Sequence, residues 1–148
     1  MTLQLKPGTA WADVYARARA AAPEAFDADR ILNLHGGEWQ RSGRPGEHVN
    51  PVDGQPIQGP PRMDPEDVVH AVKHAHTEHE AWGKVDLDER KRRVAAAVTD
   101  TRAHRDTLAL LLVWEIGKPW KLACDDVDRC LDGVDWYLSQ IDRQLQGR

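Results

Sequence analysis

The sequence predicts a mainly α-helical chain carrying a small β-hairpin or meander. Three observations support this. Apolar residues recur at helical spacing over most of the second half. Strong helix starts and stops punctuate that half at Asp64-Pro65, at Asp86-Leu87-Asp88-Glu89 and at Gly117-Lys118-Pro119. Between residues 31 and 59, short extended runs alternate with Gly/Pro turns. A length of 148 residues suits one compact domain.

In chain order, a short lead turns at Lys6-Pro7-Gly8. Thr9 caps a predicted helix that carries Trp11, Val14 and Tyr15, reaches Ala21 and is ended by Pro23. Ile31 to His35 reads as a strand, followed by Gly36-Gly37-Glu38-Trp39 and a turn-rich loop from Arg41 to Gly46. His48-Val49 is short and extended, Asn50 to Gly54 is a turn, and Gln55 to Gly59 is a third short strand. Such strands need helices packed on them to be stable. Asp64 then caps a helix with Pro65 in its first turn and Asp67 answering as a capping box. Its predicted buried face holds Val68, Val72, Ala75, His79 and Trp82, and Gly83 ends it. The next helix starts at Asp86 and turns Val94, Ala97, Val98 and Thr101 inward. A weak point at His104 to Asp106 separates it from a helix with the unbroken apolar run Leu108 to Val113, which ends at Glu115. Gly117 supplies a left-handed stop, Pro119 prevents continuation, and Lys118 sits at the negative end of the helix dipole. A last helix runs from Pro119 to Leu145, with Val127, Cys130, Val134, Leu138, Ile141 and Leu145 along one seam.

Composition narrows the function classes. Apolar content of 41% and charged content of 30% read as soluble and globular. The formal net charge of -4 disfavours nucleic acid and anionic membranes as partners. The apolar run is too short to cross a bilayer, which takes about 20 residues. No basic-then-apolar leader opens the sequence, so no secretory signal is predicted. Cys124 and Cys130 fall on different faces of one predicted helix, and two unpaired thiols fit the cytoplasm.

Candidate constellations resolve mostly to structural roles. His70 and His74, four apart with Glu78 beyond, have metal-ligand spacing, but Ala71 follows His70 and the zinc-hydrolase pattern fails. A solvated helix face accounts for them better, and His79, on the apolar face near Trp82, reads as a core histidine. The basic run Arg90 to Arg93 follows Asp86, Asp88 and Glu89, which can pair with it along the helix. Gly117-Lys118 lacks phosphate-loop spacing, no GxGxxG occurs, and neither cysteine has an activating histidine beside it. No complete catalytic constellation is present.

Taken in order, however, the motifs are specific. Asn33 to Trp39 resembles the opening strand of the aldehyde dehydrogenase superfamily, a hydrophobic run followed by G-G-E-W. Asn50-Pro51-Val52-Asp53-Gly54 is similar to its N-P-x-x-G turn. Glu66-Asp67-Val68 with Ala71-Val72 resembles its E-D-V-x-x-A-V helix, and Ala75 and Trp82 its end, with His79 standing where the family has Phe. Glu89-Arg90 resembles the next helix start, Glu115 to Pro119 resembles E-T-G-K-P with Ile for Thr, and Asp126-Val127 and Asp135-Trp136-Tyr137 fit the helix after it. The resemblance covers about residues 31–142.

The resemblance implies residues 1–30 as an N-terminal extension with one helix, and residues 31–148 as the truncated N-terminal part of an aldehyde dehydrogenase domain. That part is the outer portion of the α/β cofactor-binding domain, lacking the parallel sheet. It implies an intact enzyme that oxidises an aldehyde to a carboxylic acid with NAD or NADP. The nucleophilic cysteine, glutamate base and dinucleotide site are expected outside this chain, so no catalytic or cofactor-binding residue and no bound cofactor are expected here. By position, the family's monovalent cation would touch Val49 through its backbone carbonyl and Glu115 through its carboxylate. The aldehyde would be a partner of the intact enzyme only; a complementary catalytic chain or self-association is expected for this one. The alternative function is a non-catalytic helical interaction module of the same descent.

Overall fold

The computed structural model describes residues 8–146, so the lead over residues 1–7 lies outside the described residues. Among the described residues, the fold has five α-helices, a short 3-10 turn and three two-stranded antiparallel hairpins. Helix α1 (Trp11–Ala21) is followed by a short 3-10 turn at Pro23–Ala25. The hairpins follow: β1 (Phe26–Asp27) with β2 (Arg30–Ile31), β3 (Asn33–His35) with β4 (Glu38–Gln40), and β5 (Arg44–Val49) with β6 (Pro56–Arg62). Then come α2 (Pro65–Gly83), α3 (Leu87–Ala103), α4 (Arg105–Ile116) and α5 (Trp120–Gln146). A mainly helical chain with small antiparallel strand pairs is therefore what the sequence builds.

The core is organised on α4. Ala109 and Val113 pack into a cluster with Val98 of α3 and Ala123, Cys124, Val127 and Leu131 of α5. Leu110 and Trp114, on the adjoining face, bury Val14 of α1, with Trp11 beside them. Trp114 Nε1 donates to the Thr9 carbonyl at 3.1 Å, which fixes the start of α1. Thr9 is thus not the cap: Ala10 occupies that position and no side chain caps α1. At α4's C-terminus, Gly117 takes the left-handed conformation (φ 71°), its N–H donating to the Val113 carbonyl at 2.9 Å. The stop predicted there is the stop observed, and the break before α4 falls at His104.

The strand region departs from expectation. The run Ile31 to His35 is not one strand. Leu32 interrupts it, donating its N–H to the Ala25 carbonyl at 2.8 Å, and Ile31 pairs backwards with Phe26 in a hairpin the periodicity did not reveal. Arg44, Pro45 and Gly46, expected in a loop, open β5. A register shift between Arg44 and Gly46 absorbs the consecutive Pro60 and Pro61 opposite, where a regular ladder would need their missing N–H groups. Gly36 and Gly37 turn the β3–β4 hairpin with φ of 65° and 77°, the positive angles such a two-residue turn requires.

Helix α2 departs further. Asp64 stands at its cap position but makes no side-chain cap hydrogen bond, so no capping box with Asp67 closes. None of its residues is buried. Of the five residues predicted inward, Val68 and Val72 are 45% and 63% exposed, Ala75 and His79 are exposed, and Trp82 alone is half-buried, beneath the Arg93 guanidinium. His79 is therefore not a core histidine: the face is apolar, and the β3–β4 hairpin beside Val68, Val72 and Ala75 leaves it largely exposed. On α3, Val98 is buried while Ala97 and Thr101 are exposed. On α5, Cys124 is buried and Cys130 exposed, which reverses the seam position given to Cys130. Leu131, the next residue, takes the inward place instead.

Charges join the helices outside the core. Arg105 holds Asp128 through two bonds of 2.7 and 2.6 Å, Arg102 reaches Asp132 and Asp135, and Lys91 reaches Asp142 at 2.6 Å. Within α3, Glu89 accepts from Arg92 and Arg93, and these bonds hold its carboxyl at a pKa of about 2. The basic run is thus largely paired with acids on its own and the neighbouring helix. A carboxyl whose pKa is depressed by folding stabilises the fold above its ordinary value of 4.5, and that contribution fades as pH falls towards 2. Glu89→Gln is expected to lower the thermal midpoint at pH 7, and the gap to the parent should close between pH 4.5 and 2 when followed by circular dichroism. A gap independent of pH would show that the arginine bonds are not its cause.

Candidate functional site

The β5–β6 turn and the end of α4 meet. Asn50 is 1% exposed, a buried polar side chain with every group satisfied. Its Oδ1 accepts from the N–H groups of Val52 and Asp53, both at 3.0 Å. Its Nδ2 donates to Asp53 Oδ1 at 2.9 Å and to the Gln55 carbonyl at 2.8 Å. The backbone adds Asn50 N–H to the Gln55 carbonyl and Gly54 N–H to the Asn50 carbonyl. One side chain therefore rigidifies the whole turn. Val52 then packs against both core clusters, and Pro51 lies over Gly117, where a Cβ would stand 3.0 Å from Pro51 Cγ.

A second tie lies alongside. His48 Nε2 donates to the Glu115 carbonyl at 2.6 Å, which fixes the tautomer and occupies one of the last carbonyls of α4. Residues 67 apart in sequence are joined, and no local pattern signals it. Partial desolvation raises the Glu115 carboxyl from its ordinary value, and His48 opposes the rise, although the residue as a whole is exposed. Val49, the other cation-ligand candidate, sits opposite Pro56 with its side chain 63% exposed. Because Asn50 bonds Gln55 across the hairpin, alternation of the ladder turns the Val49 carbonyl away from Pro56. A cavity of about 360 Å³ opens between hairpin and helix, lined by His48, Ile57, Arg62, Glu115 and Ile116.

The remaining candidates stay apart from this site. His74 packs its ring against Gly36, 3.6 Å from a Cβ placed there, and His76 faces Glu80 at 3.7 Å. Among the described residues, no group of three or more His, Cys, Asp or Glu could hold a metal ion. Cys124 lies inside the core, where a substrate cannot reach it. Lys118, expected to serve the helix dipole, also pairs with Asp126 of α5. A larger cleft of about 600 Å³ lies between the first and third hairpins, but its arginines are engaged: Arg41 by Asp27 and Arg30 by the Gly43 carbonyl.

The pattern described as "Aldehyde dehydrogenase family" matches residues 39–148. The chain belongs to the aldehyde dehydrogenase family. It is 32% identical over 139 residues to a "Probable aldehyde dehydrogenase" of Mycobacterium bovis, an alignment covering 88% of this chain and 26% of that protein. It is 33% identical over 112 residues to a "Malonate-semialdehyde dehydrogenase" of Bacillus cytotoxicus, covering 74% of this chain and 23% of the relative. A mitochondrial "Succinate-semialdehyde dehydrogenase" of Oryza sativa subsp. japonica is 27% identical over 116 residues, covering 77% and 22%. The chain thus spans about a quarter of the length of these relatives. No solved structure matches it. Two motifs of the family resemblance, the N-P-x-x-G turn and the E-x-G-K-P helix end, are the two surfaces that touch at Pro51 and Gly117.

That contact is testable. Gly117→Ala places a Cβ both in a left-handed backbone and against Pro51, and is expected to cost about 1–2 kcal/mol or more, read as a lower urea midpoint. Unchanged stability would show that neither constraint operates.

Proposed function

We propose that this chain is the N-terminal part of an NAD(P)-dependent aldehyde dehydrogenase whose intact form oxidises an aldehyde to a carboxylic acid. The observation that carries the reading is the packing of the N-P-x-x-G turn on the E-x-G-K-P helix end, two family motifs brought together by one fold. Residues 31–148 are read as the outer part of the cofactor-binding domain, and residues 1–30 as an extension whose helix α1 docks on α4. Two unpaired thiols, one of them exposed, suit a cytoplasmic protein. Among the described residues no helix is long and apolar enough to cross a membrane.

The described residues do not fit a dinucleotide. Their strand pairings are all antiparallel, whereas such a cofactor is held where a parallel strand turns into a helix. With the nucleophile also unmatched, these residues are proposed to be inactive alone. Titration calorimetry is expected to give no saturable NAD binding. Micromolar affinity, or aldehyde-dependent reduction of NAD by the purified chain, would overturn this.

For the monovalent cation, the chemistry of two donors fits: a carbonyl turned out of its hairpin at Val49 and the partly desolvated carboxyl of the otherwise exposed Glu115. A bound cation would offset the charge of that carboxylate and tie hairpin to helix. Replacing choline chloride with potassium chloride at constant ionic strength should raise the thermal midpoint of the parent and not of Glu115→Gln. Equal shifts in both would remove Glu115 from the site.

One observation favours the second reading, a non-catalytic helical interaction module: α2 leaves Val68, Val69 and Val72 uncovered. Under the first reading the remainder of the enzyme, or a complementary catalytic chain, covers that face. Downstream coding sequence containing P-W-N and G-Q-x-C-type motifs supports the first; an unrelated gene after a stop supports the second.

A further inference from the structure

Helix α1 is too weak to stand alone. It has 11 residues, no side-chain cap and one buried residue, Val14. Isolated helices shorter than about 12–15 residues are marginal in water. What holds α1 is a row of rings. Trp11 lies against Trp114 of α4, with centroids 6.4 Å apart, and against Tyr15 at 5.7 Å. Tyr15 in turn meets Phe26 of β1 edge to face at 5.5 Å. Asp29, in the turn of the first hairpin, takes the Arg19 guanidinium at 3.1 Å, and its carbonyl accepts from the Tyr15 hydroxyl at 3.3 Å. The segment from Thr9 to Ile31 therefore folds back on itself and seats on α4 as one piece.

That seat is shared with the Asn50 turn. The cluster of Val14, Leu110 and Trp114 is closed on its rim by Trp11, by Leu111 and by Val52 of the β5–β6 turn. The Val52 N–H is itself fixed by Asn50 Oδ1. Lifting α1 away takes Val14 and Trp11 out of this cluster and bares one side of Val52, Leu110 and Trp114 to water. We propose that α1 is a clasp on the Asn50 turn: docking of α1 and closure of the turn on α4 are one cooperative event, joined through Val52 and Trp114. The two open together while the α3–α5 cluster stays folded. The matched family pattern begins at residue 39, so the clasp lies outside it and the turn and helix end that it holds lie inside. On the reading of the cation site given above, its donors Val49 and Glu115 adjoin Asn50 and Trp114. An N-terminal segment thereby governs the geometry of a site to which it contributes no residue.

Native-state hydrogen exchange of the full chain at low urea, read by nuclear magnetic resonance, tests this. The Val14 amide of α1 and the Asn50 and Gly54 amides of the turn all carry hydrogen bonds. In the parent chain these three are expected to share one opening free energy and one urea slope, both below those of Leu131 in α5. Trp11→Ala should speed exchange at all three by about tenfold or more and leave Leu131 unchanged. Coupling is reciprocal, so Asn50→Ala, which loosens only the turn, should speed exchange at Val14. Tyr15→Phe, which removes only the hydroxyl bond to Asp29, should move the three amides together by a smaller factor. Opening free energies that differ between Val14 and the turn in the parent overturn the proposal. So does a Trp11→Ala chain in which the Val14 amide alone is faster. The parent measurement needs no variant and decides the matter if Trp11→Ala does not fold. No cation, cofactor or substrate enters the experiment, so its outcome is separate from that of the cation site.

Discussion

The fold depends on burying α4 from two sides at once. Ala109 and Val113 serve α3 and α5, and Leu110 and Trp114 serve α1, so consecutive turns of one short helix supply both halves of the core. A helix used this way needs small residues where neighbours come close and large ones where they stand off. Ala109, fully buried, and Trp114, 2% exposed, are those extremes. Its C-terminal end is held by partners distant in sequence: Thr9 receives the Trp114 indole N–H, and the Asn50 turn closes on Gly117. The hairpin region would be marginal alone, and this closure couples it to the bundle.

Much of this was legible because it is local chemistry. Gly117 and Pro119 mark a helix end by backbone conformation alone, and the structure ends α4 there. Asp86 caps α3 through its side chain, accepting from Asp88 N–H at 2.9 Å. What sequence could not supply is partnership across distance. Thr9 has the side chain of a cap, yet its use is as a carbonyl, and the indole that needs it lies 105 residues away. His48 carries no motif until α4 brings the Glu115 carbonyl to it. The Ile31 to His35 run looked continuous because periodicity ignores the hydrogen bond that Leu32 gives to Ala25.

Helix α2 separates two quantities that hydrophobic patterning merges. Spacing reports that one face is apolar; it does not report what lies over that face. Val68, Val72 and His79 share a side as the spacing demands, and all are exposed. Cys130 fails for a different reason. Buried Val127 and Leu131 and half-buried Val134 already define the inward face, and a residue six beyond Cys124 is rotated well past it. The candidate site's residues are legible as motifs, while the meeting of Pro51 with Gly117 belongs to the tertiary structure.

The two uncovered surfaces, on α2 and on α5, differ in what they imply about their partners. Valines on α2 are neutral towards a distant partner: they form a helix and an apolar face, and any broad apolar layer would satisfy them. Gly133 is not neutral, because it weakens the helix that contains it and no contact in the described chain needs the space it leaves. Beside it, the exposed rings of Trp136 and Tyr137 and the Arg129 guanidinium ask for specific geometry, which a broad layer does not provide. The two surfaces therefore differ in how closely they define what could lie over them. Mutating one face without disturbing the other is feasible because the charge bridges from Arg105 to Asp128 and from Lys91 to Asp142 hold α5 to the bundle independently of either.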